Sequence, residues 1–335
     1  MSKAYRLRKD RVMAAMAVLL IPVLFFCMCS RHSKKSKQAN ASAEAKPVAA
    51  ATTVITQATP VITTTAAAAV PQMAHISSPS CRAAAVYSIN DDSMIYSDNI
   101  DEKTAPASLT KLLTASVALK YLDPDTVFTV GSEQALVQPY SSLAFLDVGS
   151  SLTVRDLITG MLMASGNDAA YALAASAARE MEPGVEMTDQ AAVNKFCGLM
   201  NSFAAEIGMK NSHFTTPDGW DDPDQYTTVS DLITLARYAV KLPVISQAAG
   251  THQKTVEAFS GENYTWTNSN LLLDPDSVYY RREVTGLKTG TTLEAGNSLI
   301  TVFEKNGKKY ISAVAGCDTD EDRYDLTIKL IDAVK

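Results

Sequence analysis

The sequence predicts a mixed α/β domain: one antiparallel five-stranded sheet with flanking helices and an inserted helical lobe. Three observations predict it. Two short apolar runs separated by turn residues open the folded part. A series of segments with helical period fills its middle. Three further strand-like runs and a last helix close it. The simplest assembly is a sheet built from both ends of the domain, with the helices packed on it.

The opening runs are AAAVYSI at 83–89 and MIYS at 94–97. Asn90, Asp91, Asp92 and Ser93 between them are turn residues, so the pair reads as a hairpin. Pro106 opens a helix-like stretch in which Leu109, Leu112, Leu113 and Val117 share one face. Thr153 with Asp156 three residues later has the spacing of a capping box, with Asp in place of Glu, and starts a second helix through Met163. An alanine-rich third helix follows Asn167, and 191–207 and 229–241 read as helices too. The closing strands are 283–290, 298–304 and 308–316. Asn306-Gly307 between the last two is a strong hairpin signal. A helix over 322–334 ends the chain.

Charge divides the 335 residues into unlike parts. The first 80 hold ten Lys/Arg against two acids, whereas 81–335 hold 20 basic and 34 acidic residues. The folded part carries no basic stripe, which argues against a nucleic-acid partner. Residues 12–30 are 19 uncharged, mostly apolar positions with five basic residues before them and four soon after. That length is close to a bilayer span, and the basic run behind it suits a retained anchor better than a cleaved signal. Residues 1–37 are therefore expected to be a cytoplasmic tail plus a membrane anchor or signal. Residues 38–80, rich in Ala and Thr, read as a linker. The catalytic domain is assigned to 81–335 and is expected outside the membrane. Of five cysteines, Cys81, Cys197 and Cys317 belong to that domain. No Cys-x-x-Cys pair or His/Cys cluster suggests a metal, and nothing calls for a cofactor. The oligomeric state is not legible.

The chemistry-bearing residues begin with exclusions. His213 and His252 are the only histidines after residue 81, and no Gly-x-Ser-x-Gly elbow exists, so a Ser-His-Asp triad is a poor fit. Ser108 and Lys111 are three apart at a helix start and share a face. In a dry site the lysine pKa falls, and a neutral lysine can serve as general base for the serine. Alone, Ser-x-x-Lys arises by chance about once in a chain of this length. Two further elements change its weight. Ser165-Gly166-Asn167 falls at a break between helices, and Lys288-Thr289-Gly290 ends a predicted strand. Three motifs in this order occur in class A β-lactamases and penicillin-binding proteins.

The stretches AAAVYSINDDSMIYSDNIDEKTAPASLTKLLTA, LTVRDLITGMLMASGNDAAYALA, FAAEIGMKNSHFTTPDGW, WTNSNLLL and GLKTGTTLEAGNSL extend the likeness over nearly all of 83–335. The sequence resembles the D-alanyl-D-alanine carboxypeptidase family of low-molecular-mass penicillin-binding proteins. The resemblance implies the penicillin-binding/β-lactamase-like fold. It also implies a reaction in which Ser108 attacks the penultimate D-alanine of a peptidoglycan stem peptide, with β-lactams as covalent inhibitors. On the same ground Lys111 is the general base and Ser165 a proton relay. Asn167 binds the substrate backbone, Lys288 supplies positive charge near the terminal carboxylate, Thr289 binds that carboxylate, and Gly290 is a further substrate-binding residue. The N–H groups of Ser108 and Thr291 form the oxyanion hole.

Two departures stand out. Family members often carry a β-rich second domain, whereas only 45 residues follow Gly290, so no such domain is expected. A histidine often follows the Lys-Thr-Gly, where this chain has Thr291. In such a sheet the first and last strands pair, which sets Cys81 near Cys317; a disulfide and two free thiols both stay open. A class A β-lactamase would need a Glu-x-x-Leu-Asn element, and none lies between 168 and 280. A D,D-endopeptidase, or a non-catalytic wall-binding or β-lactam-sensing protein, remains an alternative.

Overall fold

The computed structural model describes residues 72–335; the expected anchor at 12–30 and most of the expected linker lie outside the described residues. Five strands form the main antiparallel sheet: β1 (Ala83–Ser88), β2 (Ser93–Asp98), β7 (Val284–Thr292), β8 (Gly296–Lys305) and β9 (Lys308–Cys317), in the order β2-β1-β9-β8-β7. Both ends of the domain thus meet in one sheet, with β1 paired to β9 from Ala83↔Ala315 to Ser88↔Tyr310. Two short strand pairs lie outside this sheet: β3 (Val127–Thr129) with β4 (Ser151–Thr153), and β5 (Gln253–Glu257) with β6 (Asn263–Thr267).

Seven α-helices complete the described residues: α1 (Thr110–Tyr121), α2 (Val154–Met163), α3 (Asn167–Met181), α4 (Asp189–Glu206), α5 (Val229–Ala239), α6 (Pro243–Gly250) and α7 (Asp320–Ala333). A 3-10 turn, Ala107–Leu109, leads into α1. Among the described residues no helix is long and apolar enough to cross a membrane.

The sheet is buried on both faces, which explains why its strands read as nearly continuous apolar runs. Ala83, Ala85 and Tyr87 of β1 join the helical lobe's core, with Ile300 and Val302 of β8 and Ile311 and Ala313 of β9. The alternate residues Ala84, Val86, Leu299, Phe303 and Val314 pack against Tyr324, Leu330 and Ile331 of α7. Period two distributes one strand between two cores.

Helix α1 departs from the one-faced pattern expected of it. It is buried on every side from Thr110 to Ala118. Its polar residues therefore need internal partners: Thr114 Oγ1 donates to Pro217 O at 2.6 Å, and Ser116 Oγ to Leu112 O at 2.7 Å. Thr153 caps α2 by accepting from the Asp156 amide, as its spacing predicts. A full capping box, Thr319 with Asp322, starts α7.

The packed unit begins earlier than Cys81. Met73 N donates to Ile95 O at 2.8 Å, Tyr96 Oη donates to Ile76 O at 3.0 Å, and Met73 and Ile76 pack on the α7 side of the sheet. Two isolated apolar residues in an Ala/Thr run have no period to betray them. The short pairs β3–β4 and β5–β6 were not predicted either. In β5 and β6 only Val256, Tyr264 and Trp266 are buried, so the strands look polar.

Cys81, two residues before β1, and Cys317, the last residue of β9, are joined by a disulfide. Cys197 is buried in α4 with a free thiol. The bond closes a loop with a sequence separation of 236. Loop-closure entropy predicts that removing it costs about 2–5 kcal/mol. Denaturant unfolding of the Cys81→Ser/Cys317→Ser protein is expected to show that loss; an unchanged midpoint and slope would refute it.

Candidate active site

Lys111 lies one turn after Ser108, and the burial of α1 shuts its ammonium off from bulk solvent. Its Nζ instead meets three acceptors from three parts of the chain. Ser108 Oγ is at 2.7 Å, Asn167 Oδ1 at 2.8 Å and Asp218 O at 3.0 Å. Lys111 is 0% exposed. Burial pulls its pKa down to about 8, against an opposing pull from the Asp218 and Asp168 carboxylates. The inventory of donors makes this geometry consequential. An ammonium has three N–H groups for three acceptors. Once one proton is lost, two N–H groups still serve Asn167 and Asp218, and the lone pair can face the Ser108 hydroxyl.

Ser108 is half-buried on the 3-10 turn, at the head of α1. Its position depends on a close backbone approach. Ala107 has φ +48°, and the loop at Gly219 lies so near that a Cβ there would fall 1.8 Å from Ala107 O. Only glycine fits, and Gly219 also has φ +88°. Thr114 and Lys111 hold that loop through Pro217 O and Asp218 O.

Ser165 and Asn167 come from the junction of α2 and α3. Ser165 is buried with φ +56°, bending the chain between the helices. Asn167 is held at both ends of its amide, with Oδ1 on Lys111 and Nδ2 donating to Ser141 Oγ at 2.9 Å. Its neighbour Asp168 ties down the facing loop by accepting from Ala144 N at 2.8 Å and Leu146 N at 3.0 Å. A Cβ on Gly166 would lie 2.8 Å from Ala144 N, so that loop sits directly on the Ser-Gly-Asn turn.

The third group lies on β7, an edge strand of the sheet. A Cβ on Gly290 would meet Ala107 Cβ and Leu109 Cγ at 3.2 Å, which brings β7 against the Ser108 turn. Lys288 is buried, and its Nζ donates to Thr289 O at 3.1 Å. Burial first, then repulsion from Lys111 and Arg323, holds its pKa well below the usual lysine range. Thr289 Oγ1 is 2.7 Å from Ser269 Oγ. Thr291 Oγ1 accepts from Arg323 Nη1 at 2.9 Å and donates to Asn297 Oδ1 at 3.1 Å.

Ser108, Ser141, Asn167, Asp218, Trp220 and Thr291 line a cleft of about 540 Å³. The three predicted motifs thus converge, and the structure adds Ser141, Asp168, Asp218, Ser269 and Arg323 to them. None of these five stands in a three-residue motif. Arg323 is visible only once α7 packs on β8 and β9 and its buried guanidinium reaches Gly290 and Thr291 of β7, where it has no sequence neighbour in the site.

The profile of the D-alanyl-D-alanine carboxypeptidase family matches residues 67–319, well over half of the chain. The chain belongs to that family. Family members similar to it include the D-alanyl-D-alanine carboxypeptidase DacC of Escherichia coli, 33% identical over 242 residues, which are 70% of this chain and 56% of that protein. DacF of Bacillus subtilis is 28% identical over 242 residues, 71% of this chain and 58% of its own. The chain therefore spans less than two thirds of the length of these relatives. The crystal structure of the Streptomyces K15 DD-transpeptidase superposes with a TM-score of 0.68 at 29% identity, covering 77% of this chain and 98% of that one. Penicillin-binding protein D2 of Listeria monocytogenes, in its ampicillin-bound form, gives a TM-score of 0.61 at 29% identity, covering 76% and 97%. At these identities the shared architecture is the five-stranded antiparallel sheet with its helices.

The lowered pKa of Lys111 has a stability consequence. Unfolded, this lysine titrates near 10.5; folded, near 8. Between those values the unfolded chain holds a proton that the native chain has shed, so stability rises with pH across the window. Lys111→Met lacks this dependence. The unfolding free energy of wild type minus that of Lys111→Met is expected to increase by roughly 3 kcal/mol from pH 8 to 10.5. A difference that does not change with pH would show that burial has not shifted the group.

Proposed function

We propose that this protein is a serine D-alanyl-D-alanine carboxypeptidase. It removes the terminal D-alanine from peptidoglycan stem pentapeptides through an ester on Ser108. One observation carries the proposal: a buried lysine, pulled down to about 8, lies 2.7 Å from a half-buried serine hydroxyl.

Neutral Lys111 takes the Ser108 proton as Oγ bonds to the carbonyl carbon of the penultimate D-alanine. The carbonyl oxygen becomes an oxyanion facing the N–H groups of Ser108 and Thr291. When the carbon–nitrogen bond breaks, the leaving amine takes a proton returned from Lys111 by way of Ser165. Water then adds to the ester, Lys111 accepts its proton, and Ser108 regains a hydroxyl. Asn167 has one N–H left after serving Ser141, and that donor suits a carbonyl of the bound peptide. The terminal carboxylate is assigned to Thr289 and Lys288, which precede the cleft-lining Thr291 on β7. Arg323 adds a guanidinium there, held through Thr291. A carboxylate would relieve the repulsion among Lys111, Lys288 and Arg323 and raise the pKa of Lys288. β-Lactams would acylate Ser108 by the same steps.

We also propose that residues 12–30 anchor the chain, with the catalytic domain outside the membrane. The uncharged length of that segment supports this, as do a substrate class located outside the cell and a disulfide of the kind oxidising compartments maintain.

Two measurements test these proposals. Wild-type protein is expected to release D-alanine from a stem pentapeptide and to bind labelled penicillin covalently. Its acylation rate should rise about tenfold per pH unit up to about pH 8 and then level off. Ser108→Ala should lose the label and at least about 10⁴-fold of the release rate. Equal labelling of that variant would overturn the mechanism. Full-length protein should sediment with membranes and resist high-salt extraction, whereas residues 38–335 should not; identical behaviour would remove the anchor.

A further inference from the structure

The disulfide lies outside the cleft, at a place where the sheet loses its regular pairing. β1 pairs with β9 only as far as Ala83↔Ala315. β8 and β9 pair from Lys305↔Lys308 to Leu299↔Val314, and then the register slips. Ala315 and Gly316 together face Ser298, with Gly316 at φ +70°, and the next pair is Asn297↔Cys317. Such a bulge disrupts the ladder locally and bends the strand that carries it. Cys317 thus sits beyond the regular pairing of both neighbouring strands. The bond to Cys81 holds it to the start of β1, and just past it Asp318 N donates to Ser80 O at 2.8 Å.

From Cys317 the contacts lead to the catalytic groups through Asn297. Its Nδ2 donates to Cys317 O and to Asp318 O, each at 3.3 Å, and its Oδ1 accepts from Thr291 Oγ1 at 3.1 Å. Asn297 is also the cross-strand partner of Thr291. A Cβ on Gly296 would lie 2.8 Å from Cys317 O, so the turn between β7 and β8 rests on the same peptide. On the Cys81 side, Arg82 Nη1 donates to Glu294 O in that turn at 3.1 Å. The residues at the two ends of the disulfide therefore hold the turn from two directions.

What this turn carries is the cleft wall formed by Thr291, Thr292 and Leu293. β7 is an edge strand, paired in the sheet with β8 alone. The place of Thr291 therefore depends on the end of β8, and that end of β8 depends on Cys317.

We propose that Cys81 and Cys317 are positioning residues for the reaction. Their bond fixes Thr291 through Asn297, and with it the N–H group assigned to the oxyanion. An oxyanion donor acts on the transition state, so the bond governs the rate of acylation and not the binding that precedes it. The assignment rests on the peptidase reading above.

Acylation by labelled penicillin tests it, with the binding constant and the acylation rate constant separated by their dependence on penicillin concentration. Cys81→Ser/Cys317→Ser protein, shown to be folded by circular dichroism, is expected to acylate about tenfold or more slowly, with binding changed less than about twofold. Asn297→Ala keeps the disulfide, so its folding does not hang on that bond, and it should slow acylation by a similar factor. The triple variant should be no slower than either, because both changes break one link. Ile95→Ala truncates the core at the opposite edge of the sheet and controls for lost stability; it should acylate at the wild-type rate. An unchanged rate in either the cysteine variant or Asn297→Ala, or losses that multiply in the triple variant, would overturn the role. NMR reads the same link without chemistry: the Thr291 amide signal should shift in Cys81→Ser/Cys317→Ser while the β2 amides stay in place. An unshifted Thr291 signal would also overturn the role. A shifted signal in a protein whose wild type takes no penicillin would instead overturn the peptidase reading and leave the link from the disulfide to Thr291 standing.

Discussion

Everything in the site depends on putting one ammonium inside the protein. Lys111 is shut off from bulk solvent, and a buried charge is costly unless every donor is matched. The three acceptors come from the Ser108 turn, the head of α3 and the loop before Gly219. Each of those segments is fixed by something else. β7 presses on the turn at Gly290, Asp168 and Ser141 fix the head of α3, and Thr114 fixes the loop. The charge thus acts as an assembly point: a structure with any one segment displaced would leave a buried donor unmet. Matching is incomplete as compensation, because the pKa still falls. The site remains a net cost, and the two cores on either face of the sheet supply the stability that offsets it.

The same cost gives the cleft its polarity. Lys111, Lys288 and Arg323 form a cationic group behind the cleft, in which burial and then repulsion lower the pKa of Lys288. Asp168 and Asp218 stand on the Lys111 side and pull the other way, so Lys111 stops at about 8. Two buried lysines that feel each other's charge are thereby tuned apart. One is held at about 8, and the other well below the usual lysine range. That difference follows from which neighbours each lysine has, since the side chains are chemically the same.

Much of this was legible in the sequence because the relevant patterns are local. The helix start at Pro106, the cap at Thr153 and the turn at Asn306-Gly307 all appear where short-range spacing places them. The three motifs were legible for the same reason. What stayed hidden is either too short to show a period or created by packing. Three-residue strands such as β3 and β4 show no alternation. Apolar spacing suggested one buried face for α1, but enclosure by its neighbours buried the other faces too. Arg323 and Asp168 matter through partners far along the chain, so neither carries a local signal.

Thr291 shows how a departure from a motif can be absorbed. Where a histidine often follows Lys-Thr-Gly, this threonine accepts from Arg323 and donates to Asn297. Asn297 Nδ2 in turn donates to Cys317 O at 3.3 Å, beside the disulfide. An imidazole would be a bulkier group with a proton that titrates near neutral pH; a hydroxyl is small and keeps one donor and two acceptor sites at every pH of interest. The residue whose amide faces the expected oxyanion therefore also orients the guanidinium at the carboxylate end. Its own side chain adds no titration to the site. The pH response is left to Lys111 and Lys288, whose environments are set by burial and by each other.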